Sequence, residues 1–141
     1  MIDNQSMALP HAGLQDAYIV YEIVAEGGIT RLMAGFKDWD LCTTLIGPVR
    51  SSRHYYLDYA MENDAIYAHY GWSERARKDI GALDINNLNG ITNALDAYWR
   101  DKNRYAPHNV FTSIEKLKSE AAKKGYKMTS SEDLLLNYNF E

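Results

Sequence analysis

The chain has 141 residues, a net charge of −4 at pH 7 and one cysteine. Hydrophobic residues make up 46% of it and charged residues 24%, which excludes a disordered, collagen-like or coiled-coil protein. The acidic balance argues against nucleic acid as a partner, because binding to DNA or RNA depends on neutralised phosphates, and a single cysteine excludes both an internal disulfide and a cysteine-based zinc site.

The length predicts one domain, residues 1–141, since a domain takes about 150 residues. No segment approaches the roughly 18–20 apolar residues of a membrane span. The start of the chain, residues 1–4, lacks the basic region of a signal peptide. Because the chain opens directly on a strand-like pair of residues, we expect it to be a domain cut from a longer protein.

A β-hairpin is predicted first. Residues 17–26 are β-branched and aromatic and predict a strand, residues 27–28 are both glycine and predict a turn, and residues 30–36 predict the returning strand. Residues 41–46 predict a third strand, which Gly-Pro at 47–48 ends.

Two helices and a strand are predicted next. Ser51 or Ser52 is expected to cap a helix that runs to about residue 63. Its inward face should be formed by Tyr56, Leu57, Ala60 and Met61. A short strand is predicted at 65–70, and Ser73 should cap a helix at 74–81.

The last third begins with an asparagine-rich stretch, 84–93, which predicts a loop. Residues 98–107 predict irregular structure. Thr112 and Glu115 form a predicted capping box for a helix that ends at Gly125, and a second capping box begins at residue 129. The pattern predicts an α/β or α+β fold: a single layered domain, with a mixed sheet, an early β-hairpin and helices packed on it.

The two kinds of cationic residue are segregated along the chain. The lysines cluster in and after the helix that begins near residue 113, where they predict a solvated face. The arginines stand beside glycine, proline, serine, histidine and asparagine, at positions 31, 50, 53, 100 and 104. Arginine binds carboxylate and phosphate in bidentate fashion, whereas lysine acts as a point charge.

The segment 47–53 gives the sharpest prediction of a site. A strand ends there, a tight turn follows, and the unpaired N–H groups of a predicted helix come next, flanked by Arg50 and Arg53. This combination predicts an anion site. The alternative is that the two arginines pair with nearby acids, which are Asp58 or Glu62, or Glu22 and Glu26.

Two further groups carry possible chemistry. His69 ends a predicted strand and could line a cleft with Ser73, since ligands of sheet proteins bind beyond strand ends. Alternatively His69 is a core residue and Ser73 only a helix cap. Arg100, His108 and Asn109 lie just before the last capped helix. Either histidine could act as an acid or base, because histidine titrates near neutral pH.

No metal site or cofactor is predicted. His54 and Asp58 would share a helix face, but two ligands do not make a site. Cys42 stands in an apolar run and is predicted to be a buried small hydrophobe rather than a reactive thiol.

Several segments together, in this order, resemble the YerB-like family of bacterial lipoproteins, which is defined by a domain of unknown function. The segments are Met1-Ile2-Asp3-Asn4, Tyr21-Glu22, Glu26-Gly27-Gly28-Ile29-Thr30-Arg31, Ile46-Gly47-Pro48-Val49-Arg50-Ser51-Ser52-Arg53, His69-Tyr70-Gly71-Trp72-Ser73, Trp99-Arg100-Asp101 and Ala106-Pro107-His108-Asn109 through Thr112-Ser113. The resemblance implies an exported protein of the cell envelope, anchored by lipid on an N-terminal cysteine and carrying a second, C-terminal domain. This chain has neither the anchor nor that domain, so we expect it to be the N-terminal domain of a longer lipoprotein.

The family brings no established catalytic residues, so none is assigned. It does give a reason to group the arginines and histidines already noted. The set predicted to bind a ligand is Arg31, Arg50, Arg53, His69, Ser73, Arg100, His108 and Asn109.

The resulting prediction is an extracytoplasmic domain whose polar pocket, lined by arginine and histidine, binds an anionic ligand. That ligand would be a cell-wall fragment or a phosphorylated or carboxylated small molecule. Two alternatives stay open: an envelope hydrolase with His69 or His108 as base, and a protein-interaction module that uses exposed aromatics such as Trp39 and Tyr105. We expect no binding of nucleic acid, and we identify no protein partner. Contact with the membrane would be made only through a lipid anchor, which is absent from this chain.

Overall fold

The structure is a computed structural model that describes residues 1–37 and 44–129. Within these residues, seven short strands form three small sheets, and three α-helices pack beside them. The α+β class predicted from the sequence is confirmed, although the strands are divided among three sheets rather than joined in one. Residues 41–43 of the predicted third strand, and the second predicted capping box beyond Thr129, lie outside the described residues.

The first sheet contains the predicted hairpin. Strand β1 (Ile2–Asp3), β2 (Ile19–Val24) and β3 (Thr30–Gly35) are antiparallel and lie in the order β1-β3-β2. The register places Ile2 opposite Leu32 and Asp3 opposite Arg31. Because residues directly opposite each other share a face, Asp3 and Arg31 lie on one face and Ile2 and Leu32 on the other.

The other two sheets have two strands each. Strands β4 (Tyr67–His69) and β5 (Asn87–Asn89) are parallel, and β6 (Tyr98–Arg100) and β7 (Val110–Thr112) are antiparallel. The loop predicted at 84–93 and the irregular segment predicted at 98–107 are therefore both wrong in part.

Tertiary hydrogen bonds explain β5. The buried Asn89 side chain accepts from the backbone N–H of Gly71 at 2.9 Å. The backbone N–H of Asn89 in turn donates to the Asn93 side-chain Oδ1 at 2.7 Å. Pairing of the polar side chains with the backbone thus overrides the low strand propensity of asparagine.

The helices are α1 (Leu57–Glu62), α2 (Glu74–Ala82) and α3 (Ile114–Lys123). Ser73 caps α2 as predicted, because its Oγ accepts from the Ala76 N–H at 3.1 Å. The cap of α3 is Ser113 and not Thr112, since Ser113 Oγ accepts from the Lys116 N–H at 3.2 Å. The predicted stop at Gly125 is confirmed by its φ of +69° just after the C-cap.

The predicted start of α1 is wrong. Ser52 is held in an extended bridge to Trp72, and its Oγ bonds the Tyr67 hydroxyl at 2.8 Å instead of capping a helix. A 3₁₀ turn at His54–Tyr56 follows before α1 begins. Three of the four residues predicted to face inward, Tyr56, Leu57 and Ala60, are buried, whereas Met61 is 37% exposed.

One extended segment, 46–52, joins all three sheets. Ile46 pairs with Thr112, Val49 donates to Val110 O at 2.7 Å, and Arg50 donates to Met1 O at 3.0 Å. The segment passes so close to β7 that a Cβ on Gly47 would lie 2.8 Å from Val110 O, and its φ of +151° also favours glycine. This packing fixes the backbone from which Arg50 projects.

Candidate functional site: an arginine cluster around one buried and one exposed acid

Six charged or titratable side chains come together beside β1, β3 and the segment 46–52. We call them the arginine cluster: Asp3, Glu26, Arg31, Arg50, Arg53 and His108. Four of the eight residues predicted to bind a ligand are therefore brought together by the fold, from three distant parts of the chain.

Asp3 is the centre of the cluster. Its side chain is only 2% exposed, and its carboxylate accepts from His108 Nδ1 at 2.5 Å and from the Gln5 N–H at 3.1 Å. Arg50 Nε lies 3.5 Å from the same carboxylate oxygen that His108 contacts. A buried carboxylate requires such partners, because an unpaired charge in the interior is costly.

Arg31 is held from the opposite strand. It donates from Nη1 to Ser51 O at 3.0 Å, and its Nη2 lies 4.0 Å from Glu26. Burial lowers the pKa of Arg31 from its ordinary value, and the neighbouring charges of Arg53 and Arg50 lower it further. Burial is the larger cause of this pKa shift, and repulsion by the other two arginines adds to it.

Arg53 forms two local hydrogen bonds. Its Nε donates to Glu26, and its Nη1 donates to Ser52 O at 3.0 Å. The hydrogen bond from Arg53 holds the pKa of Glu26 below its ordinary value. Of the acids considered as partners in the sequence, Glu26 is the one that Arg53 contacts, while Glu22 accepts from Thr30.

Arg50 differs from its two neighbours. Its side chain is 24% exposed, its Nε is buried without a hydrogen-bond partner, and its guanidinium makes no hydrogen bond to a described residue. A guanidinium group carries five N–H donors. Arg50 therefore presents donors at the edge of the cluster that the described protein residues leave unused.

The cluster carries an excess of positive charge. Its three arginines face two carboxylates, which leaves one net positive charge before His108 is counted. The predicted helix N-terminus takes no part, because α1 begins four residues after Arg53 and has six residues. The electrostatic attraction for an anion comes from the side chains alone.

His69 and Ser73 lie elsewhere. His69 is fully buried between the rings of Tyr67 and Trp72, and its Nδ1 donates to Gly71 O at 2.7 Å. Burial lowers the pKa of His69 to about 4. This is the core histidine that the sequence left open as an alternative, and Ser73 is the cap of α2 rather than part of a cleft.

The remaining predicted residues, Arg100 and Asn109, hold the 101–109 loop in place. Arg100 donates to Asn109 Oδ1 at 2.6 Å and lies over the ring of Tyr70. Asn109 in turn donates to Asp101 O at 3.0 Å. These contacts join the two ends of the 101–109 loop, and they set the position of the neighbouring His108, which does reach the arginine cluster.

Asp3 is the important residue that the sequence analysis did not place in the site. The one local signal is its position directly after the strand-like pair Met1 and Ile2. Only the fold, which places His108 beside it, shows that this acid is the centre of the cluster.

The remaining predictions concern metal ligands, membrane spans, the cysteine and the exposed aromatic residues. Among the described residues, no three His, Cys, Asp or Glu side chains converge as metal ligands do. None of the helices in the described part of the chain is long and apolar enough to cross a bilayer. Cys42 and Trp39 lie outside the described residues, and Tyr105 is 76% exposed.

Comparison with known proteins agrees with the resemblance found in the sequence. Residues 1–127 match the family described as "Protein of unknown function (DUF3048) N-terminal domain". The Bacillus subtilis (strain 168) protein named "Putative lipoprotein YerB" is 36% identical over 136 residues, which make up 96% of this chain and 40% of that protein. This chain therefore spans less than half the length of that relative.

The crystal structure of YerB from Bacillus subtilis has the same fold. Its TM-score to this chain is 0.85 at 36% sequence identity, and the match covers 92% of this chain and 44% of that chain. The predicted family is thus confirmed by both sequence and structure.

Proposed function

The chain belongs to the family of DUF3048 N-terminal domains, and on that premise we propose that it is the anion-binding N-terminal domain of a longer, lipid-anchored protein of the cell envelope. The relative named as a lipoprotein supports the location. The arginine cluster supports the binding activity, and it would be the site of the ligand.

Arg50 is the observation that carries this proposal. Buried polar groups almost always find hydrogen-bond partners within a protein, so a guanidinium with a buried, unpartnered Nε is unusual. Arg31 and Arg53, which hold their hydrogen bonds to backbone carbonyls, would keep the local potential positive. An anion that accepts from the terminal Nη groups of Arg50, the exposed part of its guanidinium, would give them partners and neutralise the excess charge.

The ligand class follows from the donor type. A guanidinium group offers paired N–H donors in a planar fork, which match the two oxygens of a carboxylate or phosphate. Peptidoglycan fragments and small phosphorylated metabolites both carry such groups. Because two carboxylates already lie in the cluster, we expect a ligand of one or two negative charges rather than a polyanion.

Thermal stability in the presence of defined anions tests this function. A ligand that binds only the folded state stabilises it, by about 2.7 kcal/mol when the free ligand concentration is 100 times Kd. This added stability raises the melting temperature. The probes are inorganic phosphate and muramyl dipeptide, with uncharged N-acetylglucosamine as control. We expect at least one anion to stabilise the wild type, and Arg50→Ala to remove that effect.

The matched control is Arg75→Ala, because Arg75 is exposed on α2 and, among the described residues, forms its ion pair with Asp79. This variant should keep the full response to the anion. If neither anion shifts the wild-type melting temperature at low salt, or if both variants lose the response equally, anion binding by the cluster is wrong.

A hydrolase remains a second candidate because of the pair formed by Asp3 and His108. The carboxylate accepts from Nδ1, which leaves Nε2 of a neutral imidazole as a base. No described hydroxyl or thiol bonds His108, so the nucleophile would be water. Turnover of p-nitrophenyl acetate or phosphate that disappears in His108→Gln would support this candidate, and no turnover by the wild type would remove it.

A further inference from the structure

A cavity of about 490 Å³ lies beside the first sheet, and its lining does not include Asp3, Arg31 or Arg50. Its wall is mainly apolar and comes from β3, the segment 46–52, β4 and α3. Representative lining residues are Met33, Ala34, Ile46, Ile66, Ala68 and Leu117. Its volume falls within the range of about 300–1,000 Å³ that is usual for small-molecule sites.

Several polar groups in this wall already have hydrogen-bond partners within the described residues. Asn63 donates from Nδ2 to Tyr21 Oη at 3.0 Å, and Tyr18 donates its hydroxyl to Asn63. Thr112 donates to Ala97 O at 2.7 Å. Because these groups need no further partner, a purely apolar group can occupy the interior without leaving a buried donor or acceptor unsatisfied.

The mouth of the cavity is cationic. Lys37 and Lys127 both line it and are both exposed, and neither forms an ion pair with a described residue. The Lys37 ammonium lies 5.8 Å from the centre of the Tyr18 ring. Asp64 is the acid in the same lining, and it has interactions of its own. Two lysines against one aspartate favour a negatively charged head group at the opening.

The volume sets the size of the apolar part. A dry cavity of about 150 Å³ holds one benzene ring. This cavity is roughly three times larger, so it has room for a single alkyl chain of a dozen or more carbons.

We propose that this cavity binds a single-chain amphiphile with an anionic head group, with the alkyl chain in the apolar interior and the head group between Lys37 and Lys127. The site is distinct from the arginine cluster. Ile2 and Val49 line the cavity, whereas their neighbours Asp3 and Arg50 belong to the cluster. The proposal therefore stands or fails independently of the proposed function.

Calorimetric titration of the full chain, stripped of lipid, tests the proposal with three probes below their micelle concentrations: laurate, dodecylamine and acetate. We expect saturable binding of laurate, at least tenfold weaker binding of dodecylamine, and none of acetate in the cavity. Ala34→Phe, which fills the cavity from β3, should abolish laurate binding.

A charge variant keeps the test decisive if Ala34→Phe fails to fold. The double variant Lys37→Glu, Lys127→Glu changes only exposed side chains and should weaken laurate binding at least tenfold. The matched control, Lys78→Glu, Lys102→Glu, changes two exposed lysines that do not line the cavity and should leave binding unchanged.

Three results would overturn the proposal. The first is no saturable binding of laurate by the wild type. The second is binding that a folded Ala34→Phe variant retains. The third is binding that is seen only after residues 130–141 are removed, which would assign the cavity to this chain's own terminal segment.

Discussion

His108 contacts Asp3 across 105 residues of sequence, with its Nδ1 2.5 Å from the Asp3 carboxylate. This contact ties the end of β1 to the loop before β7, and Arg50 Nε lies 3.5 Å from the same carboxylate oxygen. The stability of the domain should therefore depend strongly on this one buried acid.

We predict that Asp3→Ala lowers the free energy of unfolding by about 3–5 kcal/mol, because it leaves the largely buried Arg50 guanidinium and the His108 ring without their shared partner. Asp3→Asn should cost less, since an amide still accepts one hydrogen bond. Urea denaturation at pH 7 measures both. The control is Asp96→Ala, an exposed acid whose loss should cost under about 0.5 kcal/mol. Equal effects of Asp3→Ala and Asp96→Ala would contradict the central role of Asp3.

His69 should make the domain less stable in acid. Its pKa is about 4 in the folded protein, against an ordinary value of 6.5. As pH falls through 6.5, the unfolded chain takes up a proton at this position while the folded chain does not, so unfolding becomes easier until about pH 4. The predicted loss of stability from this residue between pH 7 and pH 4.5 is about 3 kcal/mol.

The His69→Gln variant isolates this effect, because other groups also titrate in acid. Unfolding free energies at pH 7 and pH 4.5 should show a smaller pH dependence in the variant than in the wild type. Identical pH dependence of the two proteins would show that His69 is accessible or charged in the folded state.

Gly47→Ala should be strongly destabilising, by about 2 kcal/mol or more, because a Cβ there would lie 2.8 Å from Val110 O and the backbone has a φ of +151°. Gly81→Ala is the matched control. A Cβ at Gly81, within α2, meets no atom within 4 Å, so this change should stabilise the helix by about 0.5–1 kcal/mol. We expect the melting temperature to fall for Gly47→Ala and to rise for Gly81→Ala. An unchanged melting temperature for Gly47→Ala would refute the close packing of the segment 46–52.

The assignment of the α3 cap can be tested in the same way. Ser113→Ala should cost about 1 kcal/mol, because it removes the acceptor for the Lys116 N–H. Ser119→Ala, at an exposed position within the same helix, should cost nothing measurable or slightly stabilise it. If Ser119→Ala costs as much as Ser113→Ala in urea denaturation, the cap is misassigned.

Short-range sequence signals correctly predicted the turns and helix ends that depend on neighbouring residues. The hairpin at β2 and β3, the Ser73 cap and the stop at Gly125 all follow from turn and cap chemistry, which acts over a few residues. The start of α1 could not be predicted in this way. Ser52 has the chemistry of a cap, but Tyr67 and Trp72, which are distant in sequence, hold it in an extended bridge.

The same limit applies to the candidate site. Arginines beside glycine and serine indicated an anion site, and four of the eight predicted residues do converge in the arginine cluster. The sequence could not show that His69 points into the core or that Asp3 lies beneath Arg50, because strand register and loop closure decide both. The cationic mouth of the apolar cavity likewise depends on Lys37 and Lys127, which only the fold brings together.

The most direct test of the central claim is to observe the Arg50 side chain during an anion titration. Protein labelled with ¹⁵N-arginine gives a separate Nε–H signal for each slowly exchanging guanidinium, and the Arg50→Lys variant assigns the one from Arg50. We predict that phosphate or muramyl dipeptide shifts the Arg50 signal in a saturable way and leaves those of Arg75 and Arg77, exposed on α2, in place. An Arg50 signal that does not move, or that moves only in proportion to those of Arg75 and Arg77, would contradict a specific anion site in the arginine cluster.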